Sequence, residues 1–274
     1  MKPLTAFSPD APPRWLLAFD FDGTLVDPDA SEPTDPLFFE LLHALRSSHQ
    51  AAWGINTGRS LMHTVEGLIH ARFPCLPDFL IVREREIYTA NEFGRWIPDD
   101  SWNKPCDKAH TKLFRKHRRL LRKIRKWVES ETAAVWGIQQ GEPDGIVAST
   151  ASEMDAILAH IDSKIGDIPA LSYQRNGVYL RFSHADYHKG TAMREVARQQ
   201  GITQDRTFAI GDSHNDLDML DRSMAAHIAC PANACPEIRQ HVTTHGGYVA
   251  KLPASQGVIE ALQTLFQQQV GTSE

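Results

Sequence analysis

The sequence predicts an α/β protein whose parallel-sheet core is split by an inserted α+β domain. Three observations carry this. Short apolar runs alternate with helical segments at both ends of the 274-residue chain, the pattern of a parallel sheet with crossover helices. Between these ends, the strands come in hairpins and the helices are segregated. Finally, motifs bearing acids, hydroxyls or a lysine stand where predicted strands end or helices begin.

Trp15 to Phe21 is an apolar strand, and Asp35 to Ser48 carries Leu37, Phe38, Leu41, Leu42 and Leu45 at helical spacing. Ala51 to Asn56 is a second strand that breaks at Thr57-Gly58-Arg59. A helix over Leu61 to Arg72 and a strand over Phe79 to Val82 follow. The hairpin EIYTA/EFGRWIP, a helix over Ser101 to Thr132, strands at Val135 to Gln139 and Asp144 to Ala148, a helix over Ser152 to Ile165 and strands at Ala170 to Gln174 and Val178 to Phe182 make the insert. The parallel pattern resumes with a helix over Lys189 to Gln200, a strand at Thr207 to Ile210, a helix over Asp216 to Arg222, a strand at Ala225 to Ala229 and a closing helix over Gly257 to Gln268. The expected division is therefore a core of residues 1–83 and 186–274 with an insert at 84–185.

Composition narrows the class. The chain is 42% hydrophobic and 23% charged, ordinary for a globular protein. A net charge of -5 gives no whole-chain reason to expect nucleic acid or an anionic membrane. No apolar run is long enough to span a bilayer, and the N-terminus lacks the apolar stretch of a signal peptide, so a cytoplasmic location is expected. Cys75, Cys106, Cys230 and Cys235 show no CxxC spacing and read as reduced thiols.

The chemistry starts at LLAFDFDGTLVD. Side chains two apart on a strand share a face, so Asp20 and Asp22 both address the space beyond the strand's carboxyl end, where open α/β sheets bind ligands. Gly23 and Thr24 allow a tight turn with amides available to an anion. Thr57-Gly58, Lys189-Gly190 and Gly211-Asp212-Ser213-His214-Asn215-Asp216 sit at comparable positions. The fold would gather all four at one edge.

These segments, DFDGT, NTG, HKG and GDSHND in that order over residues 20 to 216, resemble the motif set of the haloacid dehalogenase superfamily of phosphohydrolases. The resemblance implies a Rossmann-like core and, from the insert's position between the second and third motifs, a large α/β cap of the Cof-like and sucrose-phosphate phosphatase kind. It implies that Asp20 is the nucleophile forming an aspartyl phosphate, and that Asp22 protonates the leaving alcohol and later activates water. It implies Mg²⁺ held by Asp20, the carbonyl of Asp22 and Asp212, with Asp216 as a ligand or as an orienting group. Thr57, the Gly58 amide and Lys189 would hold the phosphoryl oxygens, and Asn215 would contact phosphate or support its loop. An aspartate two residues after the nucleophile points to a phosphatase or a mutase, away from slow ATPases and from dehalogenases. VREREIYTANEFGRWIPDDSW resembles the start of the sucrose-phosphate phosphatase cap, with Glu84-Arg85 standing where Gly-Thr occurs. Glu86 and Tyr88 are candidate contacts for sugar hydroxyls there.

The expected activity is Mg²⁺-dependent hydrolysis of a small phosphate monoester, a sugar phosphate above all. A sugar phosphomutase shares every motif. A non-enzymatic binding module would use instead the segment Lys108 to Lys126, which holds ten Lys or Arg and no acid. That segment has an apolar stripe of Leu113, Leu120, Ile124 and Trp127, joined by Phe114, Leu121 and Val128, and so reads as an amphipathic helix packed on the insert's sheet. Its basic face is a solvated surface, a steering field for anionic substrates, or a contact for nucleic acid, membrane or protein. The expected partner is a small phosphorylated molecule, with neither nucleic acid nor membrane.

Overall fold

The structure, a computed structural model, describes residues 7, 10–137, 145–166 and 168–271. In chain order β1 is Trp15–Phe19, α1 Leu37–His49, β2 Ala51–Asn56, α2 Leu61–His70, β3 Phe79–Val82, β4 Glu86–Ala90 and β5 Trp96–Pro98. Then come α3 (Asp100–Glu131), β6 (Val135–Trp136), β7 (Gly145–Val147), α4 (Ala151–Ile165), β8 (Leu171–Asn176) and β9 (Tyr179–His184). The chain continues through α5 (Lys189–Gln199), β10 (Thr207–Ile210), β11 (His227–Cys230), α6 (Pro236–Thr244), β12 (Tyr248–Val249) and α7 (Ala254–Gly271). It divides into two compact units, Met1–Asn103 with Lys189–Glu274, and Lys104–His188.

The first unit is built on an eight-stranded sheet of order β12-β11-β10-β1-β2-β3-β4-β5. Strands β12 through β3 run parallel, and β4 and β5 extend the edge as antiparallel additions. The apolar runs are continuous because both faces are covered. In β1, Trp15, Leu17 and Phe19 join one hydrophobic cluster while Leu16 and Ala18 join another. Register then sets the site. Phe19 pairs with Ile55 of β2 and with Ile210 of β10, so Asp20, Asn56 and Gly211 leave the sheet at one level.

The second unit has a four-stranded antiparallel sheet, β6-β7-β9-β8. Against it pack Leu113, Leu121, Ile124 and Val128 of α3 and Met154, Ile157 and Ile161 of α4. Trp127 stacks on His160, with ring centroids 3.8 Å apart. The expected stripe of α3 is thus the buried one, with Phe114, Leu120 and Trp127 half-buried at its margins.

Several boundaries differ from the sequence reading. The hairpin placed in the insert pairs instead into the core sheet: Val82 faces Glu86 and Phe79 faces Thr89, so β4 covers the open edge of β3. The loss of parallel pattern at residue 84 marks a change of strand direction, and the unit boundary lies at 103/104, inside α3. At the other end it lies at 188/189 rather than 185/186. The expected helix over Asp216 to Arg222 is a 3₁₀ turn at His214–Asp216 followed by hydrogen-bonded turns, with Met219 and Leu220 both donating to the Asp216 carbonyl. The helix α6 and strand β12 had no counterpart in the sequence reading. The ends of the strands expected at Val135–Gln139 and Asp144–Ala148, residues 138, 139 and 144, lie outside the described residues.

Candidate active site

Asp20 continues from β1, its amide donating to Ile210, and is only 6% exposed. Lys189, the first residue of α5, is fully buried. Its Nζ lies 2.6 Å from Asp20 Oδ1 and 2.6 Å from Asp216 Oδ1. Asp216 in turn accepts from the amides of Asp212 and Ser213, at 3.0 and 2.9 Å, which fixes the GDSHND loop on its own side chain. Thr24 donates to Asp212 Oδ1 at 3.0 Å. Gly23, at φ +76°, turns the chain there, and a side chain on it would meet Asp212 Oδ2 at 2.6 Å. Three segments far apart in sequence therefore meet.

Three carboxylates here share one ammonium. Ligand oxygens of Asp20, Asp212 and Asp216 all lie within 4.8 Å of one another. Burial, then repulsion from Asp216, pushes the Asp20 carboxyl well above its ordinary range despite Lys189. The same two causes raise Asp212 to about 7. Burial pulls Lys189 down, but Asp20 and Asp216 outweigh it and hold the ammonium above the usual lysine value. The cluster is short of positive charge. A hard divalent cation with oxygen ligands is what such a donor set fits.

Asp22 faces a partner that sequence reasoning missed. Arg59 grips it with both prongs, Nη2 to Oδ1 at 2.5 Å and Nε to Oδ2 at 2.8 Å. The guanidinium also lies over the Phe21 ring, 4.9 Å from its centroid. The bidentate, stacked geometry fixes both position and orientation of the carboxylate. The available signal was its place directly after Thr57-Gly58.

Around Thr57 and Gly58 a second group assembles. Thr57 is 2% exposed, and its Oγ1 accepts from the Arg59 amide at 3.2 Å. Asn56 donates to the Lys189 carbonyl at 3.0 Å, tying the second motif to the third. Asn215 donates to Glu84 Oε1 at 3.0 Å, while its buried Oδ1 has no hydrogen-bond partner among the described residues. Glu84 is 6% exposed, and its Oε1 would lie 3.2 Å from a side-chain carbon placed on Gly58. Arg83 and Glu84 both occupy the left-handed region, at φ +49° and +65°, where only glycine is unstrained. Sequence reading passed over Glu84 in favour of Glu86 and Tyr88. Those two bond each other, Tyr88 Oη to Glu86 Oε2 at 3.2 Å, and Glu86 also pairs with Arg83 at 3.4 Å.

A sequence profile described as haloacid dehalogenase-like hydrolase matches residues 77–262. The chain belongs to that family. The match begins beyond Asp20 and Thr57, so the first two motifs of this haloacid dehalogenase-like hydrolase rest on the geometry above. Among solved structures it is similar to the sucrose-phosphatase of Synechocystis sp. PCC6803, seen in complex with sucrose and phosphate, at 19% identity and a TM-score of 0.69 over 92% of this chain and 98% of that one. It is also similar to a haloacid dehalogenase-like hydrolase of Bacillus subtilis, at 16% identity and a TM-score of 0.67, over 97% and 95% of the two chains. A curated relative, a phosphoglycolate phosphatase of Archaeoglobus fulgidus, is 34% identical over 90 residues, which are 33% of this chain and 38% of that protein. No helix among the described residues is long and apolar enough to cross a membrane.

Proposed function

We propose that this haloacid dehalogenase-like hydrolase is a Mg²⁺-dependent phosphatase that cleaves a sugar phosphate through a phosphorylated Asp20. The observation that carries the reading is the contact of the Asp20 carboxylate with buried Lys189, beside Asp212 and Asp216. Lys189 works against the upward shift that burial and Asp216 impose on Asp20, aims its carboxyl group, and draws a phosphoryl oxygen toward it. Asp20 attacks phosphorus; the ester oxygen leaves with a proton from Asp22, which carries it on the oxygen released from one prong of the Arg59 pair. Asp22, now a carboxylate oriented by Arg59, takes a proton from water, which attacks the phosphoryl group and returns Asp20 as a carboxylate with release of inorganic phosphate. Asp20, Asp212 and Asp216 are the side chains to hold the cation, with the Asp22 carbonyl. When bound, Mg²⁺ supplies charge neutralisation for the transferring group.

Two substrate classes are suggested by relatives, a sugar phosphate and phosphoglycolate. Glu84 favours the first. A buried carboxylate against Gly58 and Asn215 repels a second acid on the substrate but accepts hydrogen bonds from hydroxyls. A cytoplasmic location is part of the same reading, since such substrates are metabolites of the cell interior. The experiment is a phosphate-release panel of sugar phosphates and phosphoglycolate with Mg²⁺ or EDTA, run on wild type and Asp20→Asn. Turnover of a sugar phosphate, abolished by EDTA and by the substitution, is expected. Turnover retained by Asp20→Asn would sink the mechanism, preference for phosphoglycolate would sink the substrate class, and an isomeric sugar phosphate as product would make the chain a mutase.

A further inference from the structure

We propose that the solvent face of α3, with the pocket beside it, binds single-stranded nucleic acid. The inference is independent of the phosphatase reading. All ten bases between Lys108 and Lys126 are exposed. Lys108, Lys112, Arg115, Arg119, Arg122 and Lys126 follow one another at alternating spacings of four and three, a single stripe along the helix. At 1.5 Å per residue it runs for about 27 Å. Arg118 and Arg125 flank it on one side, Lys116 and Lys123 on the other. Arg125 pairs with Glu129 at 2.8 Å, and among the described residues the other nine have no acid within reach.

The whole-chain charge of -5 conceals this. Ten of the 29 Lys and Arg lie in this one segment, so the rest of the chain holds 19 against 34 Asp and Glu. An anionic strand is attracted here and repelled elsewhere. Next to the stripe a pocket of about 370 Å³ opens, within the usual size range for small-ligand pockets. It is lined by Arg115, Arg118, Arg122 and Arg125, whose side chains are exposed, and by Phe114, Leu121 and Trp136. Cations for phosphates beside an apolar, aromatic slot for an unpaired base are the two parts of a single-strand site. A duplex offers no base to the slot.

Other polyanions fit less well. A helix that binds a bilayer surface buries its apolar side in the lipid, and that side of α3 is already packed on β6, β7 and β9 through Leu113, Leu121, Ile124 and Val128. A protein partner needs apolar anchors, and none of the exposed large hydrophobic side chains belongs to α3.

The test is fluorescence anisotropy of the full chain with a dye-labelled oligothymidylate of about 15 nucleotides lacking terminal phosphate. Binding is expected at about 50 mM salt, with a log–log salt slope near -3, as for about four neutralised phosphates. The triple variant Arg115→Gln/Arg118→Gln/Arg122→Gln should bind at least about tenfold more weakly and flatten the slope by about 2. Its melting temperature should not fall, because these residues are exposed and mutually repelling; Arg118→Gln alone should give a smaller loss in the same direction. A duplex of matched length should bind less tightly than the single strand. No binding at low salt, or unchanged binding by a folded triple variant, would overturn the proposal. So would capture by phosphatidylserine vesicles, or salt-sensitive self-association, in place of oligonucleotide binding.

Discussion

Lys189 and the bases of α3 are cations in opposite circumstances. Lys189 is wholly buried, 2.6 Å from each of two carboxylates, in a cluster where acids outnumber it. The ten bases of α3 between Lys108 and Lys126 stand in water, side by side, and of these only Arg125 has an ion-pair partner among the described residues. In the first unit low dielectric makes each charge decisive for its neighbours, and removal of the one ammonium leaves buried carboxylates uncompensated. On α3 each charge is screened and individually minor, and only the sum over a long face reaches outward. One arrangement positions a small number of atoms; the other produces a field.

The largest effect expected from this contrast is at Lys189. Lys189→Met leaves Asp20 and Asp216 buried without their ammonium, and should lower the unfolding free energy by about 3–5 kcal/mol while abolishing turnover. Denaturant unfolding monitored by circular dichroism measures it, and a variant as stable as wild type would break the comparison at its root. A smaller, pH-dependent effect is expected from Asp212. Its folded carboxyl titrates near 7 against an ordinary 3.8, so between those values the native state holds a proton that the unfolded chain has lost. This group's contribution to the stability of the metal-free protein therefore declines as pH rises from about 4 to about 7. The rise in melting temperature on adding Mg²⁺ should be greater at about pH 8 than at about pH 5.5, where the ion must displace a proton. Equal rises would remove the carboxylates from the ligand set.

The smallest effect belongs to α3. Arg119 has Arg115 and Lys116 one turn before it and Arg122 and Lys123 one turn after. Like-charge neighbours at these spacings are destabilising, so Arg119→Glu should raise the unfolding free energy by about 0.5–1 kcal/mol, seen as a higher melting temperature at low salt that fades as salt is added. A loss of stability would mean that Arg119 has a favourable partner and that the face is not simply repulsive.

Much of the core was legible because its signals are local. Continuous apolar strands such as WLLAF and TFAI, ended by acids and glycines, report both a sheet covered on two faces and the edge at which Asp20 and Asp212 emerge. Residues whose roles come from pairing across the sequence were harder to read. Arg59 is defined by Asp22, 37 residues away, and Glu84 by Asn215, 131 residues away. Neither relation has a period or a spacing. Strand direction was similarly hidden, since EIYTA reads alike as the start of an insert or as an antiparallel edge of the core sheet. On α3 the amphipathic pattern located the buried stripe correctly, because a helix converts sequence spacing directly into a face.

The turn at Arg83-Glu84 has a consequence for how this protein can change. Two successive left-handed residues with side chains cost of order 1–3 kcal/mol each, and glycine at 84 would remove one of these penalties. Every glutamate codon is one base from a glycine codon. A turn relieved of one penalty is thus a single point mutation away, but it leaves the buried Asn215 amide without its Glu84 acceptor, and with the carboxylate goes the group proposed to turn acidic substrates aside. Backbone strain, a buried hydrogen bond and the proposed choice of substrate thus meet in this chain at one codon.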